Sequence, residues 1–202
     1  MPRSYCSLCH RPQVSCICQL FTLTDNDIHV VILQHPSEVK QSKGTVTLLS
    51  QSLKSCQVIV GEDFTLDAEF QQLMLQFNNE VALLYPSEKA QVINAEENKE
   101  GNNIFKNVRC IILLDGTWKK AFRLYMVNKV LHTIPHFLLP DGIISKYQIR
   151  ATKREGALST LEACCHALTL IEKSPEKYST LLASFDEFNE MQKSFNPHQK
   201  KN

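Results

Sequence analysis

Arg109-Cys110-Ile111-Ile112-Leu113-Leu114-Asp115-Gly116-Thr117-Trp118 is the stretch that decides how this chain folds. Its apolar run reads as a buried strand, and the residues after Trp118 carry helical periodicity. The tetrapeptide Asp115-Gly116-Thr117-Trp118 is then a strand-to-helix turn holding an acidic side chain and the chain's only Trp. In open α/β sheets, ligands bind outside the carboxyl ends of the strands. A Trp at such a turn either stacks on a ligand or packs beneath the turn, and both readings stand for Trp118.

Working outward, the same grammar repeats. Ile28 to His35 is apolar and β-branched, a buried strand stopped by Pro36. Thr45 to Leu53 has a leucine-lined helical face. Gln57 to Val60 reads as the second strand, Leu66 to Phe77 as a helix aligning Leu66, Phe70, Leu73 and Phe77, and Val81 to Tyr85 as the third strand, closed by Pro86. The polar stretch from Gln91 to Asn107 reads as a loop. Trp118 to Leu131 is predicted helical, with Ala121, Phe122, Tyr125 and Val130 as apolar positions. A strand near His136 to Leu139 and helices over Leu158 to Glu172 and Tyr178 to Phe195 complete the pattern. Strands alternating with helices predict an α/β fold, a mainly parallel sheet with helices on both faces.

The chain has 202 residues, 43% hydrophobic and 21% charged, enough for one domain with a substantial core and a small appendage. No apolar run approaches the roughly 20 residues of a membrane span. Met1-Pro2-Arg3-Ser4-Tyr5-Cys6 has no apolar signal-peptide core, which predicts a cytosolic protein. A net charge of +1 neither demands nor excludes a polyanionic partner.

The eight cysteines fall into two groups. Cys56, Cys110, Cys164 and Cys165 sit in apolar stretches and read as core residues. Cys6-x-x-Cys9 and Cys16-x-Cys18 are crowded together near the start, and a reducing compartment disfavours disulfides. Four close thiolates suit a tetrahedral structural Zn²⁺, which orders a segment too short to build a core. The expected division is a zinc-binding segment over 1–25 and an α/β domain over 26–202.

No strand leads into a dinucleotide fingerprint or a Walker-type loop. Instead the strands run into polar or Pro-marked turns: His35-Pro36-Ser37-Glu38, Tyr85-Pro86-Ser87-Glu88, Asp115-Gly116-Thr117-Trp118 and Leu139-Pro140-Asp141-Gly142. These predict a nucleotide-like ligand held by loop backbone groups.

Six motifs in order resemble the DTW-domain family, and within it the bacterial tRNA-uridine aminocarboxypropyltransferases. They are Arg3 with Cys6, Cys9, Cys16 and Cys18; His35-Pro36; Leu83-Leu84-Tyr85-Pro86-Ser87; Asp115-x-Thr117-Trp118; Ser145-x-Tyr147-x-Ile149-Arg150; and Leu158-Ser159-Thr160-Leu161-Glu162-Ala163. The resemblance implies a SPOUT-like α/β domain, a class in which the C-terminal part can be knotted. It also implies S-adenosylmethionine as co-substrate, whose 3-amino-3-carboxypropyl group moves to N3 of a tRNA uridine and leaves methylthioadenosine.

On this reading Asp115 is the candidate general base, against a plain helix N-cap. Leu84, Tyr85, Pro86, Ser87, Thr117, Trp118, Ser159 and Thr160 are candidate cofactor contacts, Thr117 also offering a capping hydroxyl. Lys119, Lys120, Arg123, Lys146, Tyr147, Arg150, Lys153 and Arg154 are candidate RNA contacts, basic groups with an aromatic to stack on a splayed base. Arg150 has a second reading, as a fork for the methionine carboxylate. Ser159-x-x-Glu162 is a capping box, and His35 a turn histidine rather than a catalyst. Two other readings stay open: an S-adenosylmethionine-dependent RNA methyltransferase, and a non-catalytic zinc- and RNA-binding module.

Overall fold

The computed structural model describes residues 4–93, 104–143 and 158–195. Strands β1 (His29–Gln34), β2 (Cys56–Val60), β3 (Val81–Leu84), β4 (Gln91–Val92), β5 (Cys110–Asp115) and β6 (His136–Leu138) form one sheet in the order β2-β1-β5-β3-β6-β4. Every pairing in it is parallel. A parallel sheet buries both faces, which is why these strands read as unbroken apolar runs. Val30 and Ile32 join Ile111 and Leu113 in one core, while Val31 and Leu33 join Cys110 and Ile112 in the other. Each such side chain, wholly buried, contributes roughly 1.5–3 kcal/mol.

Helices cover both faces, as expected. α1 (Val46–Ser52), α4 (Thr160–Ile171) and α5 (Ser179–Ser194) pack on the first, and α2 (Ala68–Phe77) and α3 (Trp118–Val127) on the second. Residues 144–157, between β6 and α4, lie outside the described residues, and with them the chain path on which a knot would depend. Among the described residues no helix is long and apolar enough to cross a membrane.

Three sequence expectations are corrected. Leu66 is not on the face of α2: the helix begins at Ala68, where the Asp67 carboxylate accepts from the Phe70 amide, and Leu66 stands 90% exposed. A strong N-cap outweighs one more apolar contact. Helix α3 stops at Val127, and its buried face is Ala121 and Leu124, followed by Leu131, rather than Phe122 and Val130. The buried Asn128 ends it, donating to Leu124 O and Glu62 O and accepting from Phe64 N. The stretch after Gln91 is not all loop, since Gln91 and Val92 pair with Phe137 and Leu138. A two-residue strand leaves no periodicity to read.

The N-terminal segment is tied into the first core. Cys9, Ile17 and Leu20 pack with Phe185 and Phe188 of α5. The Arg11 guanidinium donates to Ser42 O (2.6 Å) and Gly44 O (3.0 Å) and lies over the Phe188 ring. Helix α4 opens on the expected capping box: Ser159 Oγ accepts from Glu162 N (3.2 Å), and Glu162 Oε2 accepts from Ser159 N (2.8 Å). Ser159→Ala is expected to lower stability by about 1 kcal/mol. Urea unfolding measures this, and an unmoved midpoint would deny the cap any energetic role.

Candidate active site and cysteine cluster

The chain leaves β1 toward α1 on one face and leaves its neighbour β5 toward α3 on the other. That divergence makes the carboxyl edge between β1 and β5 a topological switch point, the place where open α/β sheets bind ligands. The register sets Gln34 directly beside Asp115 there. Gln34 Nε2 donates to Asp115 Oδ2 at 2.9 Å, and Thr160 Oγ1, at the start of α4, donates to Oδ1 at 2.6 Å. Gln34 and Asp115 are each 6% exposed. Two donors from separate elements thus fix both the place and the plane of one buried carboxylate.

Asp115 is not the N-cap of α3. That position belongs to Thr117, and the Thr117 hydroxyl makes no capping bond, against expectation. Gly116 lets the turn close on the helix: a Cβ there would stand 2.9 Å from Lys120 Cβ and 3.7 Å from His35 Cβ. Neither atom is the movable end of a side chain. Gly116→Ala is therefore expected to cost about 1–3 kcal/mol by overcrowding and to displace Asp115. A thermal melt matching the parent would contradict this.

Around this switch point charged side chains are paired. Glu38, buried in the turn after β1, takes Lys120 Nζ at 2.7 Å. His35 accepts from Ser37 N through Nδ1 and places Nε2 3.0 Å from Glu62, which also takes Arg123 at 2.6 Å. His35 is thus a turn histidine. The Arg123 guanidinium, ahead of the His35 ring, draws the Glu62 carboxyl below its ordinary range. Trp118 stands 43% exposed at the first turn of α3, with Phe122 and Met126 exposed after it.

Beyond β3, Tyr85 stacks on Tyr125 (centroids 4.7 Å apart), and Tyr125 on His132 (4.2 Å). Ser87 Oγ lies 2.5 Å from Nδ1 of the buried His136. Of the candidate RNA contacts, Lys119 is exposed, whereas Lys120 and Arg123 are the ion-paired residues above. Lys146, Tyr147, Arg150, Lys153 and Arg154 lie outside the described residues.

The four N-terminal thiols converge, with all the Cys6, Cys9, Cys16 and Cys18 sulfurs within 4.8 Å of one another. Cys6 and Cys18 are 3.5 Å apart, and Cys9 and Cys16 3.7 Å. A tetrahedral Zn²⁺ with ligands at about 2.3 Å requires sulfurs about 3.8 Å apart, so the cluster fits the ion. The amides of Cys9 and Leu8 hold the Cys6 thiol down to about 6, while burial pushes Cys18 up to about 12. By contrast Cys110, Cys164 and Cys165 are buried in the cores and Cys56 lies half-buried against one, with burial raising each thiol.

Two polar groups beside the candidate residues carry no local signal in the sequence. Gln34 was visible only as a polar residue closing an apolar strand, and His136 only as a histidine opening one.

An all-parallel sheet carrying a pinned carboxylate at its switch point is the build of a ligand-binding α/β domain. Within that class the chain belongs to the DTW-domain family, whose model matches residues 3–193. It is 32% identical to tRNA-uridine aminocarboxypropyltransferase 2 of Drosophila melanogaster over 185 residues, 89% of this chain and 71% of that one. The protein of the same name from Mus musculus is 31% identical over 184 residues, covering 89% of this chain and 60% of its own length. No solved structure matches.

Proposed function

We propose that this chain is a tRNA-uridine aminocarboxypropyltransferase of the cytoplasm, with S-adenosylmethionine as donor and Zn²⁺ as a structural ion. The observation that carries the reading is the Asp115 carboxylate, pinned by Gln34 and Thr160 at the sheet's switch point in a DTW-family chain. The names of the relatives supply the group transferred and the acceptor.

The sulfonium of the donor supplies a leaving group, so the work of the protein is positioning and proton management. Asp115 takes the N3 proton of the uridine. The N3 electron pair attacks the terminal methylene of the carboxypropyl arm, and the carbon–sulfur bond breaks with its electrons staying on sulfur. Gln34 and Thr160 hold the carboxylate plane so that a lone pair meets that proton. Leu84, Tyr85, Pro86 and Ser87 form one wall of the donor's pocket, and Thr117 and Trp118 another. Ser159 and Thr160 close it at the start of α4, where their hydroxyls already serve the cap and Asp115. Lys119 meets phosphate, joined by the basic residues Lys146 to Arg154. Lys120 and Arg123 reach RNA only by sharing Glu38 and Glu62. Cys6, Cys9, Cys16 and Cys18 would hold the Zn²⁺ with four thiolates, a ligand set that suits ordering the segment rather than catalysis.

Incubation with bulk tRNA and S-adenosylmethionine labelled in its methionine backbone carbons is expected to put label on a uridine and release methylthioadenosine. A uridine left unlabelled by that donor, but labelled when the label is placed in the donor's methyl group, would make the protein a methyltransferase instead.

A further inference from the structure

We propose that His136 is a positioning residue, which accepts the Ser87 hydroxyl hydrogen bond and so makes the Ser87 oxygen a fixed acceptor for a donor group of S-adenosylmethionine. The inference rests on the functional reading above and assigns a task to a buried side chain that reading leaves unused.

The hydrogen-bond pattern sets the tautomer. His136 Nε2 lies 2.6 Å from Leu131 O, and a carbonyl can only accept, so Nε2 carries the ring proton. In a neutral imidazole Nδ1 then has only its lone pair, and Ser87 Oγ–H donates to it at 2.5 Å. His136 is 2% exposed, with its ring edge-on to Tyr125. Burial, with Lys89 and His132 nearby, holds the ring below its ordinary range and so keeps it neutral. A hydroxyl whose proton is committed in this way has lone pairs to offer and nothing to donate.

The turn itself does not need this arrangement. Backbone bonds from Ser87 N to Tyr85 O (2.9 Å) and from Ala90 N to Ser87 O (3.0 Å) shape it without the side chain. Lys89 is engaged elsewhere, donating to His132 O and Ile134 O. Ser87 sits half-buried just past the end of β3, the strand beside β5, and so on the carboxyl edge that carries Asp115. An acceptor there selects a donor, either a ribose hydroxyl or the α-ammonium of the methionine arm.

Ser87→Ala, His136→Phe and the double variant test this by calorimetric binding of S-adenosylmethionine and methylthioadenosine. Phe keeps a ring against Tyr125, and Ser87→Ala leaves the buried side intact, so one variant stays informative even if the other folds poorly. Each single change is expected to weaken S-adenosylmethionine about tenfold, the worth of one hydrogen bond, and to raise KM more than it lowers kcat. The double variant is expected to bind no more weakly than either single one, since both remove the same interaction. A matching loss with methylthioadenosine assigns the ribose as donor, and a loss confined to S-adenosylmethionine assigns the ammonium. Parental affinity in Ser87→Ala, or a His136→Phe variant that loses only thermal stability, overturns the proposal while the activity stands. A parent protein that binds no S-adenosylmethionine removes the functional reading, and this inference falls with it.

Discussion

Asp115→Ala is expected to abolish aminocarboxypropyl transfer while leaving a folded protein that still binds tRNA. Among the described residues the carboxylate is hydrogen-bonded by the side chains of Gln34 and Thr160, so truncation strands two donors at the buried end of β5. Their unmet bonds cost about 1–3 kcal/mol, which a domain of this size tolerates. The catalytic loss is larger, because a positioned base contributes about 10²–10⁴-fold. Asp115→Asn sharpens the comparison. It keeps the volume, and the Gln34 amide can turn its oxygen toward the new amide, so stability should recover while turnover does not. Nucleoside analysis reads the activity and thermal melting the fold. Turnover at the parental rate in either variant would remove Asp115 from the chemistry.

The second large effect belongs to the metal. Replacing Cys6 and Cys9 by Ser is expected to release one equivalent of zinc and to lower the melting temperature of the whole domain. A zinc ion there would hold a segment whose Ile17 and Leu20 share a core with α5, and whose Arg11 ties the loop before α1 to the Phe188 ring. Structural zinc binding in small peptides reaches about 10–16 kcal/mol. Even about 5 kcal/mol of that linked to folding would lower Tm by roughly 10–20 °C at this size. Metal analysis beside calorimetry decides the matter. Full zinc content in the double variant would discard the ligand set, and an unchanged Tm with zinc gone would make the segment an independent appendage.

Both effects depend on features that differ in how far they can be read along the chain. The thiols lie within thirteen residues, and their spacing alone suggests a metal knuckle. The carboxylate is different. Its donors stand 81 and 45 residues away, and nothing in Gln34 or Thr160 taken locally points to Asp115. Helix α2 shows a smaller version of the same limit: periodicity proposed Leu66, but the Asp67 cap begins the helix two residues later. In α3 the apolar residues are divided between a buried row through Ala121 and Leu124 and an exposed row through Trp118, Phe122 and Met126. Which row faces the core is set by the sheet beneath it, not by hydrophobicity counted along the helix.

Properties held within a few neighbouring residues were legible along the chain. These are the buried strands, the turn at Asp115-Gly116-Thr117-Trp118, the capping box at Ser159 and the cluster of four thiols. Tertiary structure alone decided the strand order, the pairing of Gln34 with Asp115, the short edge strand β4, and the histidine behind Ser87. The physical reason is range. Periodicity, capping and ligand spacing are settled by contacts a few residues apart, whereas strand register and hydrogen bonds between elements exist only once the sheet has closed and desolvated its floor.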